Sequence, residues 1–295
     1  MNSHHRLSGH KKEVITMFSR FLVVMIILTA SVAAHATDVR VSVTEVKDNR
    51  TTGQFFNNLD IKLKLTGDDI AGAKGIRTVI TSAVDDTGRN LLKDEDKSQE
   101  FKPLQDSDLG AEVELRFKNP ARKSSVVKEI SGEVHLFMPV RDPAATVVLK
   151  SFKTLAGKPV SDPALTKAGM HLTVLTKKEY DILAKQHEQQ AIEEAEKNLE
   201  QAMVEAIKGM FGSFFQVGEN DVLLKIDDPD KKFIKAEVLN AKGEVIHNTS
   251  TTYVNDMRVL GFDETLPADA QLRIFLKTKK SVVVVPLKLA DIALP

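Results

Sequence analysis

Asp86-Thr87-Gly88 is the part of this sequence with the clearest capacity for chemistry. It follows the alternating apolar pattern of residues 76–84, which would place the carboxylate at the end of a strand. Two such carboxylates that share one proton can act as general acid and general base in peptide hydrolysis. The chain has a single Asp-Thr-Gly sequence, so this chemistry would need a second copy of the chain.

The residues on either side favour a turn over a catalytic site. Aspartic proteases have an apolar residue before the tripeptide and a small one after it, whereas this chain has Asp85 and Arg89. Gly88 also suits an ordinary hairpin turn. We therefore predict no catalytic residue, and we keep a peptidase-like hydrolase acting through Asp86 as the alternative.

Other reactive constellations are missing from the sequence. It has no cysteine, no Gly-x-Ser-x-Gly motif and no glycine-rich loop for a phosphate group. The histidines beyond residue 36 are too far apart for the usual ligand spacings, and they are His135, His171, His187 and His247. We predict no metal site and no cofactor, and we expect His187 to be a packed helix residue with one hydrogen bond.

The first 36 residues have the pattern of a secretory signal peptide. Arg20 precedes a short apolar run, and Ala34-His35-Ala36 provides an A-x-A cleavage site. The run is too short to cross about 30 Å of hydrocarbon as a helix. We predict cleavage after Ala36, with Met17 as an alternative start, and a periplasmic or secreted protein.

Charge and cysteine content limit the partners. The predicted leader holds four of the 41 basic residues and one of the 41 acidic residues, so the remaining 259 residues have a net charge of −3. Nucleic acid and anionic lipid both require clustered Lys and Arg, so we expect neither as a partner. An exported chain without disulfides fits a bacterial periplasm, where burial alone must stabilise the fold.

Two segments show the period-two alternation of half-buried strands, 37–175 and 218–295. Val39, Val41 and Val43 alternate with polar residues in the first segment. No helix-length segment separates the predicted strands within either segment, which favours antiparallel pairing. We predict a mainly β protein with two antiparallel β-sandwich domains of immunoglobulin-like architecture, the second smaller, joined by one long amphipathic α-helix.

The joining segment, 176–217, begins with the capping box Thr176-Lys177-Lys178-Glu179. Apolar residues then recur every three or four positions, which predicts a helix over 177–211, about 52 Å long at 1.5 Å per residue. We expect its apolar stripe to pack along both sandwiches. Its partly heptad-like spacing, Ala195 with Ala202, also allows a coiled coil and self-association.

The helix is the predicted place of function. An apolar cluster at its end would mark a partner or membrane contact if exposed, although an excess of acidic residues argues against anionic lipid. The predicted interaction surface consists of Leu199, Met203, Met210, Phe211 and Phe214. We expect an unidentified protein or envelope component as the partner and no stable membrane span.

The second β segment repeats features of the first in the same order. Residues 76–91 match 232–246, 133–137 match 271–275, and 146–152 match 282–289. The pattern indicates either a duplication with a shorter second copy or a spacing of strands and turns that any two sandwiches share, which we call a shared rhythm. The valines of 282–285, followed by Pro286, predict an edge strand whose outer face is covered.

These features favour a non-catalytic binding or scaffolding module of the cell envelope. The immunoglobulin-like comparison concerns architecture alone.

Overall fold

The computed structural model describes residues 39–50, 57–93, 100–104, 110–198, 201, 204–205, 208–209 and 216–295. The described residues belong to one compact unit, Asp38–Pro295. The unit is mainly β, as the alternating sequence pattern predicts. Its strands are β1 (Arg40–Asn49), β2 (Asn58–Thr66), β3 (Gly75–Asp85), β4 (Lys102–Pro103), β5 (Ala111–Phe117), β6 (Val126–Phe137), β7 (Thr146–Leu149), β8 (Lys158–Pro159), β9 (His171–Val174), β10 (Val222–Asp227), β11 (Phe233–Leu239), β12 (Val245–Ile246), β13 (Ser250–Val254), β14 (Met257–Gly261), β15 (Gln271–Leu276) and β16 (Val282–Ala293).

Three α-helices have both ends within the described residues. They are α1 (Asp68–Ala71), α2 (Pro163–Ala168) and α3 (Lys177–Asn198). Asp162 caps α2 by accepting hydrogen bonds from two backbone N–H groups, and Gly169 ends it in the left-handed conformation. No helix of the described residues is long and apolar enough to cross a membrane.

The described strands form four antiparallel sheets. Their strand orders are β1-β2-β5, β16-β6-β3-β4, β12-β11-β15-β7 and β13-β14-β10-β9-β8. The first two sheets enclose one apolar core and the last two enclose another. Each pair of sheets is therefore a sandwich, which we call the first and second sandwich.

The first core follows directly from the period-two pattern. Leu59, Ile61, Leu63 and Leu65 alternate along β2 and are fully buried. The polar residues between them form cross-strand ion pairs on the outer face, such as Asp60 with Arg116 at 2.9 Å. Such exposed pairs are worth little, so burial of one apolar face stabilises this sheet.

The two sandwiches exchange their last strands. β7 follows β6 in the chain but pairs with β15 of the second sandwich, and β16 follows β15 but pairs with β6 of the first. Val147 and Leu149 accordingly lie in the second core, while Val283 and Leu287 lie in the first. Residues 139–281 are thus inserted between two neighbouring strands of the first sandwich.

Strand pairing therefore crosses the predicted boundaries at 175 and 218 in both directions. β7, β8 and β9 precede residue 175 but belong to the second sandwich, and β16 follows residue 218 but belongs to the first. The division into separate domains at those boundaries stays a prediction.

The capping box at the start of α3 is confirmed. The Glu179 carboxylate accepts hydrogen bonds from the Thr176 N–H at 2.8 Å and from its hydroxyl at 2.7 Å. The Glu179 N–H donates to the Thr176 hydroxyl at 3.3 Å. These bonds satisfy backbone donors that have no partner within a first helical turn.

The position of α3 differs from the prediction. β9 before it and β10 after it are neighbours in one sheet, with Val174 opposite Leu224. The helix is therefore an excursion from a hairpin of the second sandwich and not a connection between sandwiches. Its first turns pack on the outer face of that sheet, where Tyr180 and Ala184 contact Leu223 and Met257.

A single straight rod over 177–211 is wrong on geometric grounds. A straight helix would separate the Cα atoms of Glu196 and Lys208 by about 18 Å along its axis, which is more than the two side chains can bridge. Their side chains lie 3.4 Å apart.

Two turns at equivalent positions support the duplication. The Asp85 Oδ1 atom accepts hydrogen bonds from the N–H groups two and four residues later, both at 2.9 Å. Asn240 makes the same pair of bonds, at 2.9 and 3.0 Å. The glycines of the two turns, Gly88 and Gly243, have φ angles of 82° and 84°. The agreement adds to the sequence match, and it is also compatible with a hairpin turn that unrelated sandwiches share.

The exchanged strands agree as well. Phe137 pairs with Val282 and Phe275 with Thr146, so the segments matched in sequence have the same register. The rings of Phe137 and Phe275 meet edge to face at 6.1 Å between the two sandwiches.

The valine-rich strand is an edge strand, as predicted, but its outer face is open. Among the described strands β16 pairs with β6 alone, which leaves Pro286 at an edge where its missing N–H is tolerated. Val283 and Val285 are buried in the first core, whereas Val284 is 46% exposed. The expected cover over the outer face was wrong.

Candidate functional site

Asp85 and Asp86 hold a turn together. Asp85 is buried, and its two oxygens accept hydrogen bonds from the Thr87 N–H and hydroxyl, the Arg89 N–H and the Ala121 N–H, at 2.7–2.9 Å. Asp86 is exposed and accepts bonds from the Ser125 N–H and hydroxyl, each at 3.2 Å. Asp85 thus joins the turn to the segment after β5, and Asp86 joins it to the start of β6.

The electrostatics of the turn keep both carboxylates ionised. Burial raises the pKa of Asp85, but its hydrogen-bond donors outweigh burial and lower the value to about 2. Hydrogen bonds from Ser124 and Ser125 lower the pKa of Asp86. A catalytic pair needs one protonated carboxyl group, so this environment favours the structural role of the turn.

Two of the described histidines, His135 and His187, have local partners. His135 lies between Arg77 and Glu133, with a ring nitrogen 2.7 Å from each side chain. His187 lies 2.8 Å from the Asn255 amide and 3.4 Å from Asp256, which fixes α3 to the β13–β14 turn. Within the described ranges, no three His, Asp or Glu side chains cluster as a metal site would require.

The predicted interaction surface on the helix lies outside the described residues. This applies to all five of its members, Leu199, Met203, Met210, Phe211 and Phe214. Within the described part of the helix, Tyr180, Ala184 and Ala195 of the predicted stripe are buried, whereas Ile182, which lies off the stripe, is 49% exposed.

A cleft between the sheet edges of the second sandwich is the best candidate site. It has a volume of about 600 Å³, within the range of small-molecule sites. We call it the Arg258 cleft. Its lining residues come from β4, β11, β12, β13, β14 and their connections; among them are Leu104, Phe233, Lys235, His247, Tyr253, Arg258 and Leu260.

An ion network forms one wall of the Arg258 cleft. Glu237 of β11 accepts a bond from Lys235 at 2.6 Å and bonds from Arg273 of β15. Burial raises the pKa of Glu237, but the two cations outweigh burial and keep its pKa below the usual value. Lys235 also donates to the Leu104 carbonyl at 3.1 Å, which fixes the segment after β4 to this wall.

Arg258 is held rigidly in the opposite wall. Its Nη1 donates to the carbonyls of Asn255 and Met257, at 2.6 and 2.8 Å. Its guanidinium carbon lies 4.8 Å from the Tyr253 ring centre and 6.0 Å from that of Phe233. Burial lowers the pKa of Arg258, although a guanidinium remains charged at neutral pH.

The sequence contained only a weak signal for this cleft. Asn255-Asp256 makes a tight turn between β13 and β14. Asn255 adopts a φ of 51°, which asparagine tolerates better than most residues. That dipeptide between two apolar runs could have indicated a hairpin.

Comparisons with known proteins identify no relative. No family model matches the chain, and no curated protein or solved structure is significantly similar to it.

Proposed function

We propose that this chain is an exported, non-catalytic binding module of the cell envelope and that the Arg258 cleft is its binding site. The cleft carries the proposal because it combines a volume of about 600 Å³ with aromatic, aliphatic and fixed polar groups. The signal-peptide pattern of residues 1–36 and the absence of cysteine support a periplasmic location.

In this proposal the two sandwiches correspond to the immunoglobulin-like domains that the sequence predicts, modified by strand exchange. Such an arrangement holds the cleft on strands of a packed sandwich. A site built on strands keeps its shape better than one built on mobile loops. For a protein partner, the same proposal takes the form of a scaffolding role through the predicted helix surface.

A neutral dye tests whether the cleft accepts a ligand. N-phenyl-1-naphthylamine should bind the purified protein with a stoichiometry of one, detected by its fluorescence. Thr251→Trp places a large side chain in the cleft from an exposed position of β13 and should weaken binding at least tenfold. Ser42→Trp, on exposed β1, is the matched control and should bind normally. Equal binding by both variants would contradict the proposed site.

A separate assay addresses the hydrolase alternative. Unfolded casein at acid pH should remain intact with the purified protein, because Asp86 is engaged by Ser125 and shares no proton with a second carboxylate among the described residues. Cleavage that disappears in Asp86→Asn would instead establish the hydrolase.

Export has its own test. Expression of the full chain in a Gram-negative host should give a periplasmic protein whose N-terminal sequence begins at Thr37. Recovery of the uncleaved chain from the cytoplasm would contradict this part of the proposal.

A further inference from the structure

Arg258 has hydrogen-bonding capacity that the described residues do not use. Its Nε atom is buried and has no hydrogen-bond partner among them. Its only hydrogen bonds in the described part of the chain come from Nη1, so Nη2 is also without an acceptor there. Nε is covered by neighbouring atoms, whereas Nη2 is not among the buried atoms, so Nη2 is the guanidinium donor that a ligand can reach.

The nearby acidic residues do not fill this role. Glu100, Asp256 and Asp228 attract Arg258 electrostatically, but none forms an ion pair with it within 4 Å in the described structure. Glu100 pairs with Lys231 at 2.8 Å, and Asp256 with Lys225 at 3.7 Å and His187 at 3.4 Å. Asp228 accepts a bond from the Phe233 N–H at 2.6 Å.

The other charges of the cleft are matched. Lys235 is neutralised by Glu237, which Arg273 contacts as well. Arg258 is therefore the lining cation whose charge has no direct partner. A carboxylate on Nη2 would supply that partner through charge-assisted hydrogen bonds.

We propose that the Arg258 cleft binds an organic carboxylate, which accepts hydrogen bonds from Nη2 of Arg258 and whose apolar part packs on Leu104 and Leu260. This inference rests on the cleft being a binding site, as proposed above. The carboxylate belongs to a small free acid or to the end of a peptide, since both present the same group.

The orientation of Arg258 supports this assignment. Two backbone carbonyls and two aromatic rings fix the guanidinium before any ligand arrives. A preorganised donor loses little freedom on binding, so a short acid is sufficient as a probe.

Hexanoate and hexanamide provide the test, because they share a shape and differ in charge. The chain has two tyrosines and no tryptophan, and Tyr180 is fully buried, so changes in fluorescence on titration will report Tyr253. Hexanoate should bind at least tenfold more tightly than hexanamide. N-acetylleucine and N-acetylleucinamide make the same comparison for a peptide terminus.

Variants at Arg258 complete the experiment. Arg258→Gln should remove the preference for hexanoate, and Arg258→Lys should retain part of it because lysine keeps the charge without the fixed guanidinium donor. Retained binding of N-phenyl-1-naphthylamine will show that each variant keeps its cleft. Added NaCl should weaken hexanoate binding to the unmodified protein and leave hexanamide unaffected.

The outcomes separate the two proposals. Equal affinity for hexanoate and hexanamide, or an undiminished preference in Arg258→Gln, would overturn the carboxylate assignment while dye binding sustains the binding module. Loss of both dye and hexanoate binding in the unmodified protein would overturn both.

Discussion

Asp85 and Asn240 show how one turn is built with two different side chains. Each uses Oδ1 to bind the N–H groups two and four residues later. Asp85 also uses Oδ2 to accept a hydrogen bond from the Ala121 N–H at 2.8 Å. An asparagine side chain here would face this N–H with a second donor instead of an acceptor. The acidic residue before the apparent protease motif is therefore explained by backbone contacts.

Asp85→Asn should lower the free energy of unfolding by about 1–3 kcal/mol, because one buried hydrogen bond becomes a contact between two donors. Urea denaturation at neutral pH measures the change. Asp86→Asn is the matched control at the neighbouring exposed position and should have a smaller effect. An equal loss in both variants would contradict the special role of Asp85.

The same residue predicts a pH dependence. The folded pKa of Asp85, about 2, lies below the ordinary value of 3.8, so its stabilisation is present above pH 3.8 and is lost as pH falls towards 2. Denaturation midpoints of the unmodified protein should fall over this window, and those of Asp85→Asn should fall less. Parallel curves would show that other groups control acid unfolding.

Tyr180 places a polar hydroxyl group in an apolar, buried position. Its ring is fully buried under α3, but its hydroxyl has no hydrogen-bond partner among the described residues. Burial accordingly raises the pKa of this hydroxyl. Tyr180→Phe should leave stability unchanged or raise it by up to about 1 kcal/mol in urea denaturation. A loss above about 1 kcal/mol would indicate a partner for the hydroxyl.

At the level of secondary structure, the position of α3 depends on the capping box at its start and on the one face that packs against the sheet. The capping box fixes its first turn, and Tyr180 with Ala184 fixes that turn to the sheet. Because β9 and β10 are adjacent in that sheet, the segment between them must leave and return to nearly the same place. Hydrophobic periodicity identifies such a helix but contains no information about where the chain goes next.

Thr176→Ala should cost about 1 kcal/mol of stability, because the first turn loses its side-chain cap. Urea denaturation followed by circular dichroism measures the effect. Lys178→Ala changes an exposed position of the same turn and should have little effect. If both variants behave alike, the capping box does not limit the stability of the protein.

At the scale of the molecule, the exchange of β7 and β16 links the two sandwiches. Their connections also contact each other, since the Thr278 hydroxyl donates to Asp142 at 2.6 Å and the Met138 N–H donates to the Ser281 carbonyl at 2.7 Å. A mutation late in the chain should therefore loosen the sandwich that begins the chain, and the converse should hold.

Leu287→Ala and Leu149→Ala test this crossed dependence. Each removes a buried leucine and should cost about 2–5 kcal/mol. Hydrogen exchange should show that Leu287→Ala first exposes amides of β2, whereas Leu149→Ala first exposes those of β10 and β15. The exchange of strands would be contradicted if Leu287→Ala loosened only the second sandwich.

The sequence by itself determined the mainly β character, the buried faces of strands such as β2 and the start of α3, because each depends on neighbours within a few residues. The sequence also contained the two sets of matched segments, and the structure shows equivalent turns at matching positions within them. Tertiary structure decided that β16 completes the first sandwich, that α3 returns to its own sheet and that Arg258 meets Tyr253 in a cleft. Alternation shows which face of a strand is apolar, but the backbone groups that join strands are the same in every residue, so it does not show which strand will be the neighbour.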